Sequence, residues 1–177
     1  MRVFWRNGYE GASLAELTSA MGINRPSLYA AFGDKETLFR KVVDHYNERH
    51  ACYVKEAVLE PTTRRVVERL WHGGANLMTG RGNPHGCLLV QGALASGEAA
   101  RTVQRDLTAH RSQGEAMLVA RFHRAVTEGD LPSDADTAAL ARYAASVLYG
   151  MAILAAGGAS REELDGVVDL ALRSWPS

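Results

Sequence analysis

Cysteine is nearly absent from these 177 residues: Cys52 and Cys87 are too few for a disulfide scaffold and lack zinc-ribbon spacing. With no secretory signal at the start, this argues for a reducing, cytosolic setting. Net charge is absent too: 20 basic residues balance 20 acidic ones. A globally basic surface for nucleic acid is therefore excluded, and any such contact must come from a local patch. Arg25, Lys35, Arg40 and Lys41 supply one, although Asp34, Glu36 and Asp44 are interleaved with them. No run alternates apolar and polar residues convincingly, which argues against a sheet. No H-E-x-x-H, G-x-S-x-G or phosphate-loop pattern occurs, so catalysis has no candidate constellation and no cofactor is implied. The pairs His50 with Cys52 and His85 with Cys87 lack the further partners that a tetrahedral metal site needs. The uncharged stretch from Tyr143 to Ala159 is shorter than the roughly 20 residues a bilayer requires and is rich in Ala and Gly, so it reads as a buried or interface helix, not a membrane span.

What is present is helical throughout. Hydrophobic residues make up 46% and charged residues 23%, near the globular average. Ser13 followed by Glu16 has capping-box spacing, which starts a helix that runs through Leu14 and Leu17 to Met21 and stops at Gly22. Asn24 caps a second short helix with Pro26 in its first turn, ending near Gly33. Asp34 then caps a longer helix with Leu38, Val42 and Tyr46 on one face. Pro61 is expected in the first turn of the next helix, whose stripe of Val66, Val67, Leu70, Trp71, Leu77 and Met78 is interrupted by Gly73 and Gly74. A break from Gly80 to Pro84 precedes a short helix from about Gly86 to Leu94. A long helix through Leu107 and Ala125 closes at Gly129 and Pro132. Another opens at Asp134 or Asp136, with Leu140, Tyr143, Val147, Met151 and Leu154 on one face and small residues on a second; Ser160 caps the last.

The first two capped helices have the makings of a helix-turn-helix between Ser13 and Phe32. That motif needs a tight turn with a glycine and an apolar pin after it, and Gly22-Ile23 supplies both. The second helix offers Asn24, Arg25, Ser27 and Tyr29, side chains that suit base edges and phosphates. Any helical corner shares these local features, so the wider wording of the segment matters more.

The run GYEGASLAELTSAMGINRPSLYAAFGDKETLF, Gly8 to Phe39, resembles the DNA-binding domain of the TetR family of bacterial regulators. The likeness rests on Phe4, Gly8-Tyr9, Leu17, Gly22-Ile23, Leu28-Tyr29, Phe32 and Lys35-Glu36 followed by Leu38. It implies an all-α fold: a three-helix helix-turn-helix domain over residues 1–45, and a helical-bundle domain over 46–177 that binds an effector and dimerises. It also implies that Asn24, Arg25, Pro26, Ser27 and Tyr29 form a recognition helix, that Tyr29 and Lys35 meet phosphates, and that Ser13 and Leu14 touch the DNA backbone.

Three departures from the family stand out. The family's first helix begins well upstream of Phe4, so it is expected to be truncated here or to continue before Met1. Thr18 replaces a common Ala, which its hydroxyl can tolerate by bonding a carbonyl one turn back. Ala31 stands where many relatives carry His.

The remaining chain resembles the family more weakly, through HGCLLVQGALASGE, His85 to Glu98. A homodimer is expected through the last two helices, with Ala138, Ala141, Ala145, Ala152, Leu164, Val168 and Trp175 at the interface. Effector-pocket candidates are Trp71, Met78, Met117, Phe122 and Tyr143, with His72 and His110 as polar anchors for an apolar or aromatic small molecule. Aromatics and Met at helical spacing are more often plain core residues. The implied function is a transcriptional regulator, a repressor that an effector releases from double-stranded operator DNA; the alternative is an all-α ligand-binding protein that no longer binds DNA.

Overall fold

Side-chain caps set where most of the helices begin. In the computed structural model, which describes residues 1–92, 97 and 100–176, every regular element among the described residues is a helix. They are α1 (Arg2–Gly11), α2 (Leu14–Met21), α3 (Arg25–Phe32), α4 (Lys35–Arg49), α5 (Tyr53–Ala57), α6 (Thr63–Thr79), α7 (Leu88–Gln91), α8 (Arg101–Glu128), α9 (Thr137–Ala156) and α10 (Arg161–Arg173). Ser13 and Ser160 each close a full capping box, with Glu16 and Glu163 respectively. Asn24, Asp34, Thr62 and Asp136 each accept a hydrogen bond from the amide three residues on. Pro61 thus lies just outside α6, because the hydroxyl of Thr62 takes the cap.

Two glycines allow turns that other residues would strain. Gly22 ends α2 in the left-handed region at φ 65° and lets Ile23 N–H donate to the Thr18 carbonyl at 3.1 Å, which makes the tight corner into α3. Gly8 bends the last turn of α1 at φ 69°, so that Tyr9 N–H reaches the Gly92 carbonyl at 2.8 Å.

Helix α6 is the axis of the larger part and packs against α5, α8, α9 and α10. Its interruption at Gly73 and Gly74 is a slot. A Cβ on Gly73 would lie 2.7 Å from Cδ2 of Tyr53, and one on Gly74 would run into Cδ1 of Leu148. Glycine inside a helix costs about 1 kcal/mol relative to alanine, so close packing is what these two positions provide.

Two expectations need correction. Helix α7 covers Leu88–Gln91 only, with Cys87 as its N-cap and Gly92 as its C-cap, so the expected start at Gly86 is two residues too early; residues 93 and 94 of the expected helix, and residues 95, 96 and 98 of the family-like run, lie outside the described residues. Helix α9 is 20 residues long with a mean hydropathy of 1.5, long and apolar enough to cross a membrane, because it begins at Thr137, six residues before the uncharged stretch. It nevertheless packs on α6, α8 and α10 and buries Ala141, Ala144, Leu148, Met151 and Ala155 within the chain.

Replacing Gly73 by alanine should lower stability by about 1 to 3 kcal/mol despite alanine's better helix propensity, because the new methyl group meets the Tyr53 ring. Thermal unfolding checks this; a raised Tm would contradict the slot.

Candidate functional site

Helix α3 is held by a single buried side chain, Leu28. Asn24, Arg25, Pro26, Ser27 and Tyr29 are all exposed, Tyr29 by 46%. The carboxamide of Asn24 accepts from Ser27 N–H at 2.9 Å, so the cap uses its oxygen and leaves its NH2 donors outward. An exposed aromatic and an exposed guanidinium on one short helix form a surface that can reach into a groove. Ser13, at the start of α2, is exposed and Leu14 half-buried. Thr18 is buried and its hydroxyl donates to the Leu14 carbonyl at 2.8 Å, the back-bond its sequence position suggested.

Lys35 is more enclosed than the sequence implied. Its Nζ lies 4.7 Å from the centre of the Tyr9 ring and 3.5 Å from the Glu10 carbonyl, at the C-terminal end of α1. Burial lowers its pKa, partly opposed by Glu10. An ammonium has three donors, so one can still face a phosphate. Arg40 is not part of any free basic patch: it pairs with Glu36 at 2.6 Å and with Asp106 of α8 at 2.7 Å, a strut between α4 and α8. Missing from the sequence reading were Arg2 and Arg6, exposed one turn apart on α1; Arg6 sits beside Ala15 and Ser19 of α2. Their spacing of four was the available signal.

A cavity of about 360 Å³ lies between α4, α5, α6, α7, α8 and α9. Leu70, Met78, Val90, Leu118 and Leu148 form its apolar walls; Asn47, Tyr53, Cys87, His110, Arg111 and Tyr149 bring polar atoms to it. Asn47 Nδ2 lies 3.1 Å from His110 Nδ1. Tyr46 donates its hydroxyl to the Cys87 sulfur at 3.3 Å. Burial pushes the Cys87 thiol up, against the opposing pull of that bond, so the sulfur stays protonated at neutral pH. Tyr149, half-buried, is pushed up to about 12 by its partial desolvation.

Of the expected pocket residues, Met78, His110 and Met117 line this cavity. Trp71, Phe122 and Tyr143 do not; they cluster with Trp175, whose ring centroid is 5.8, 5.4 and 6.1 Å from theirs, as the seam joining α6, α8, α9 and α10. His72 faces Asp165 of α10 at 3.3 Å. The dimer residues also need correction. Ala141, Ala145, Ala152, Leu164, Val168 and Trp175 are buried in the chain's own core, Ala145 at the cavity wall, and Ala138 alone of the seven is exposed. Small residues let helices approach within one chain as readily as between chains. The outward face instead carries Ile153 at 57%, Leu154 at 49% and Leu170 at 62% exposure. Among the described residues no three His, Cys, Asp or Glu side chains converge on a metal site.

Residues 1–42 match the family model described as bacterial regulatory proteins, tetR family. The chain is 31% identical to the HTH-type transcriptional repressor ComR of Escherichia coli K12, over 99% of this chain and 85% of that protein. It is 30% identical to the HTH-type transcriptional repressor AcnR of Corynebacterium glutamicum, over 96% of this chain and 84% of the relative. Among solved structures it is similar to a cysteine mutant of the TetR family transcriptional regulator CifR complexed with a 26-base-pair double-strand operator DNA. That likeness has a TM-score of 0.95 at 41% identity, covering 99% of this chain and 92% of the other.

The α2 capping box gives a pH test. Ser13 N–H and Oγ donate to the Glu16 carboxylate at 2.9 and 2.8 Å and hold its pKa below the usual value of 4.5. The folded value is depressed, so this stabilisation is complete above pH 4.5 and disappears as pH falls through the lower folded value. In urea titrations from pH 7 to pH 3, Glu16→Gln should show a constant stability deficit above about pH 4.5 that narrows below it. A deficit independent of pH would contradict the bond.

Proposed function

The chain belongs to the tetR family of bacterial regulatory proteins, and from that premise we propose a homodimeric repressor that holds operator DNA through α3 and releases it when a small molecule fills the cavity. The observation that carries this is the exposure of α3 on every side but that of Leu28. A helix with so little buried surface is retained for what it presents. Arg25 suits guanine in the major groove, Asn24 suits adenine, Ser13, Leu14, Pro26 and Ser27 lie against the backbone, and Tyr29 and Lys35 meet phosphates. Arg2 and Arg6, exposed on α1, add positive charge to the same domain. The helix-turn-helix unit extends to about residue 45 and shares α4 with the effector-binding part. The protein works in the cytosol, where the DNA is.

The dimer forms through the outward faces of α9 and α10. Ile153, Leu154 and Leu170 are large apolar residues that water would otherwise cover, and Gly150 and Gly166 are exposed on the same helices, giving a flat surface for close approach. Two copies of α3 would then stand about 34 Å apart, one turn of the double helix. Effector binding favours a different spacing. Coupling of about 1 to 3 kcal/mol is typical of such a switch, and the ligand supplies it only by binding the released state more tightly.

On duplex from upstream of the protein's own gene, Tyr29→Ala and Lys35→Ala should each weaken binding whatever the sequence. Lys35→Ala should also flatten the salt dependence by about 2 in log-log slope for the dimer, at about 0.9 per phosphate. Unchanged affinity and slope would remove both residues from the interface. Leu170→Arg should convert the dimer to monomer in sedimentation; a variant that remains dimeric would place the interface elsewhere.

A further inference from the structure

The cavity holds an unusual polar group. Tyr53 lines it, its ring fills the slot left by Gly73 with its hydroxyl beside Gly74, and that hydroxyl has no hydrogen-bond partner among the described residues. That oxygen is not sealed off, since the one buried and unsatisfied side-chain atom among the described residues is Nη1 of Arg121. Two helix-weakening glycines therefore lie against a phenol whose O–H bonds nothing among the described residues. A tyrosine kept only for packing could be a phenylalanine, whereas an accessible, unbonded O–H facing a cavity is free to donate to what enters it.

A second donor points the same way. Asn47 Nδ2 can only donate, so at 3.1 Å it makes His110 Nδ1 the acceptor. With Nδ1 accepting, the ring N–H is on Nε2, which no other group among the described residues binds. The charged residues around the cavity do not favour an anion. Asp44, Glu48 and Glu115 outnumber Lys55 and Arg111, and the Arg111 guanidinium is already engaged by the Leu89 carbonyl and the Thr108 hydroxyl. Asp44, Glu48 and Lys55 are exposed at the rim, and Glu115 is paired with Arg142 at 3.5 Å, so inside the cavity a carboxylate would have only Arg111, whose N–H groups are already bonded to neutral oxygens, to offset its lost hydration.

We propose that the ligand is a neutral, largely apolar molecule whose hydrogen-bond-accepting oxygen, of the carbonyl kind, is held by the Tyr53 hydroxyl and the His110 N–H. A cavity of about 360 Å³ admits a molecule of one or two fused rings or an equivalent alkyl body. This rests on reading the cavity as the effector site, and it names the chemistry of that site.

Three probes of nearly one shape separate the possibilities: 2-acetylnaphthalene, 2-naphthoate and 2-ethylnaphthalene, titrated calorimetrically into the full chain without DNA. The ketone should bind about tenfold more tightly than the carboxylate or the hydrocarbon. Tyr53→Phe keeps the ring in its slot, so the apo protein should unfold at the same temperature or higher. It should weaken the ketone about five- to tenfold and leave the hydrocarbon within about twofold. His110→Phe should weaken the ketone in the same direction. A preference for naphthoate, no preference for the ketone or no binding of it, or equal loss of ketone and hydrocarbon in Tyr53→Phe, would overturn the proposal. Operator binding is read separately: a ketone that binds as expected but leaves the protein–DNA complex intact supports the ligand class and counts against release by this cavity.

Discussion

The contact between Trp5 and Tyr46 is the constraint on which both halves of the molecule depend. The rings meet edge to face with centroids 4.8 Å apart, and both side chains are fully buried. The Trp5 indole N–H donates to the Gly86 carbonyl at 3.2 Å, while the Tyr46 hydroxyl donates to the Cys87 sulfur. One aromatic pair thus ties α1, α4 and the segment before α7 together. Such pairs add about 0.5 to 1.5 kcal/mol beyond the area they bury, and these two also satisfy polar atoms that burial would leave bare.

The same contact gives a route between cavity and recognition helix. Phe4 meets Phe39 of α4 edge to face at 5.0 Å, so the start of α4 is packed on α1, while Asn47 near its end faces the cavity. Gln91 of α7 donates to the Trp5 carbonyl at 3.4 Å, and Tyr9 N–H donates to the Gly92 carbonyl. A ligand that moves α4 or α7 must therefore move α1, and α1 carries α2 and α3. The Arg40 pairs to Glu36 and Asp106 limit that motion by tying α4 to α8. Being open to solvent, these pairs are weak struts that ligand binding can overcome.

The sequence disclosed the helix-turn-helix well because that unit is built from local chemistry. Ser13 with Glu16, the glycine at 22, Asn24 and Asp34 each act on residues three or four positions away, so spacing alone reveals them. The cavity was legible only in part. Met78, His110 and Met117 reach it, but Tyr53 was missed because its seat depends on glycines 20 residues further along, in another helix. Periodicity separated the small face of α9 from its large one without telling which turns inward. Ala141, Ala145 and Ala152 went to the core because α6 and α8 approach closely there, and the exposed apolar surface fell to Ile153, Leu154 and Leu170. Trp71, Phe122, Tyr143 and Trp175 show how aromatic content misleads: their partners are one another.

The central claim is that a dimer presents two copies of α3 to operator DNA. Hydroxyl-radical and major-groove methylation footprints on the DNA upstream of the gene test it most directly. The expected result is two symmetry-related protected patches in successive major grooves, their centres about 10 base pairs apart, vanishing together when Arg25 and Tyr29 are replaced by alanine. Protection confined to a single groove, or protection that survives those replacements, would contradict it.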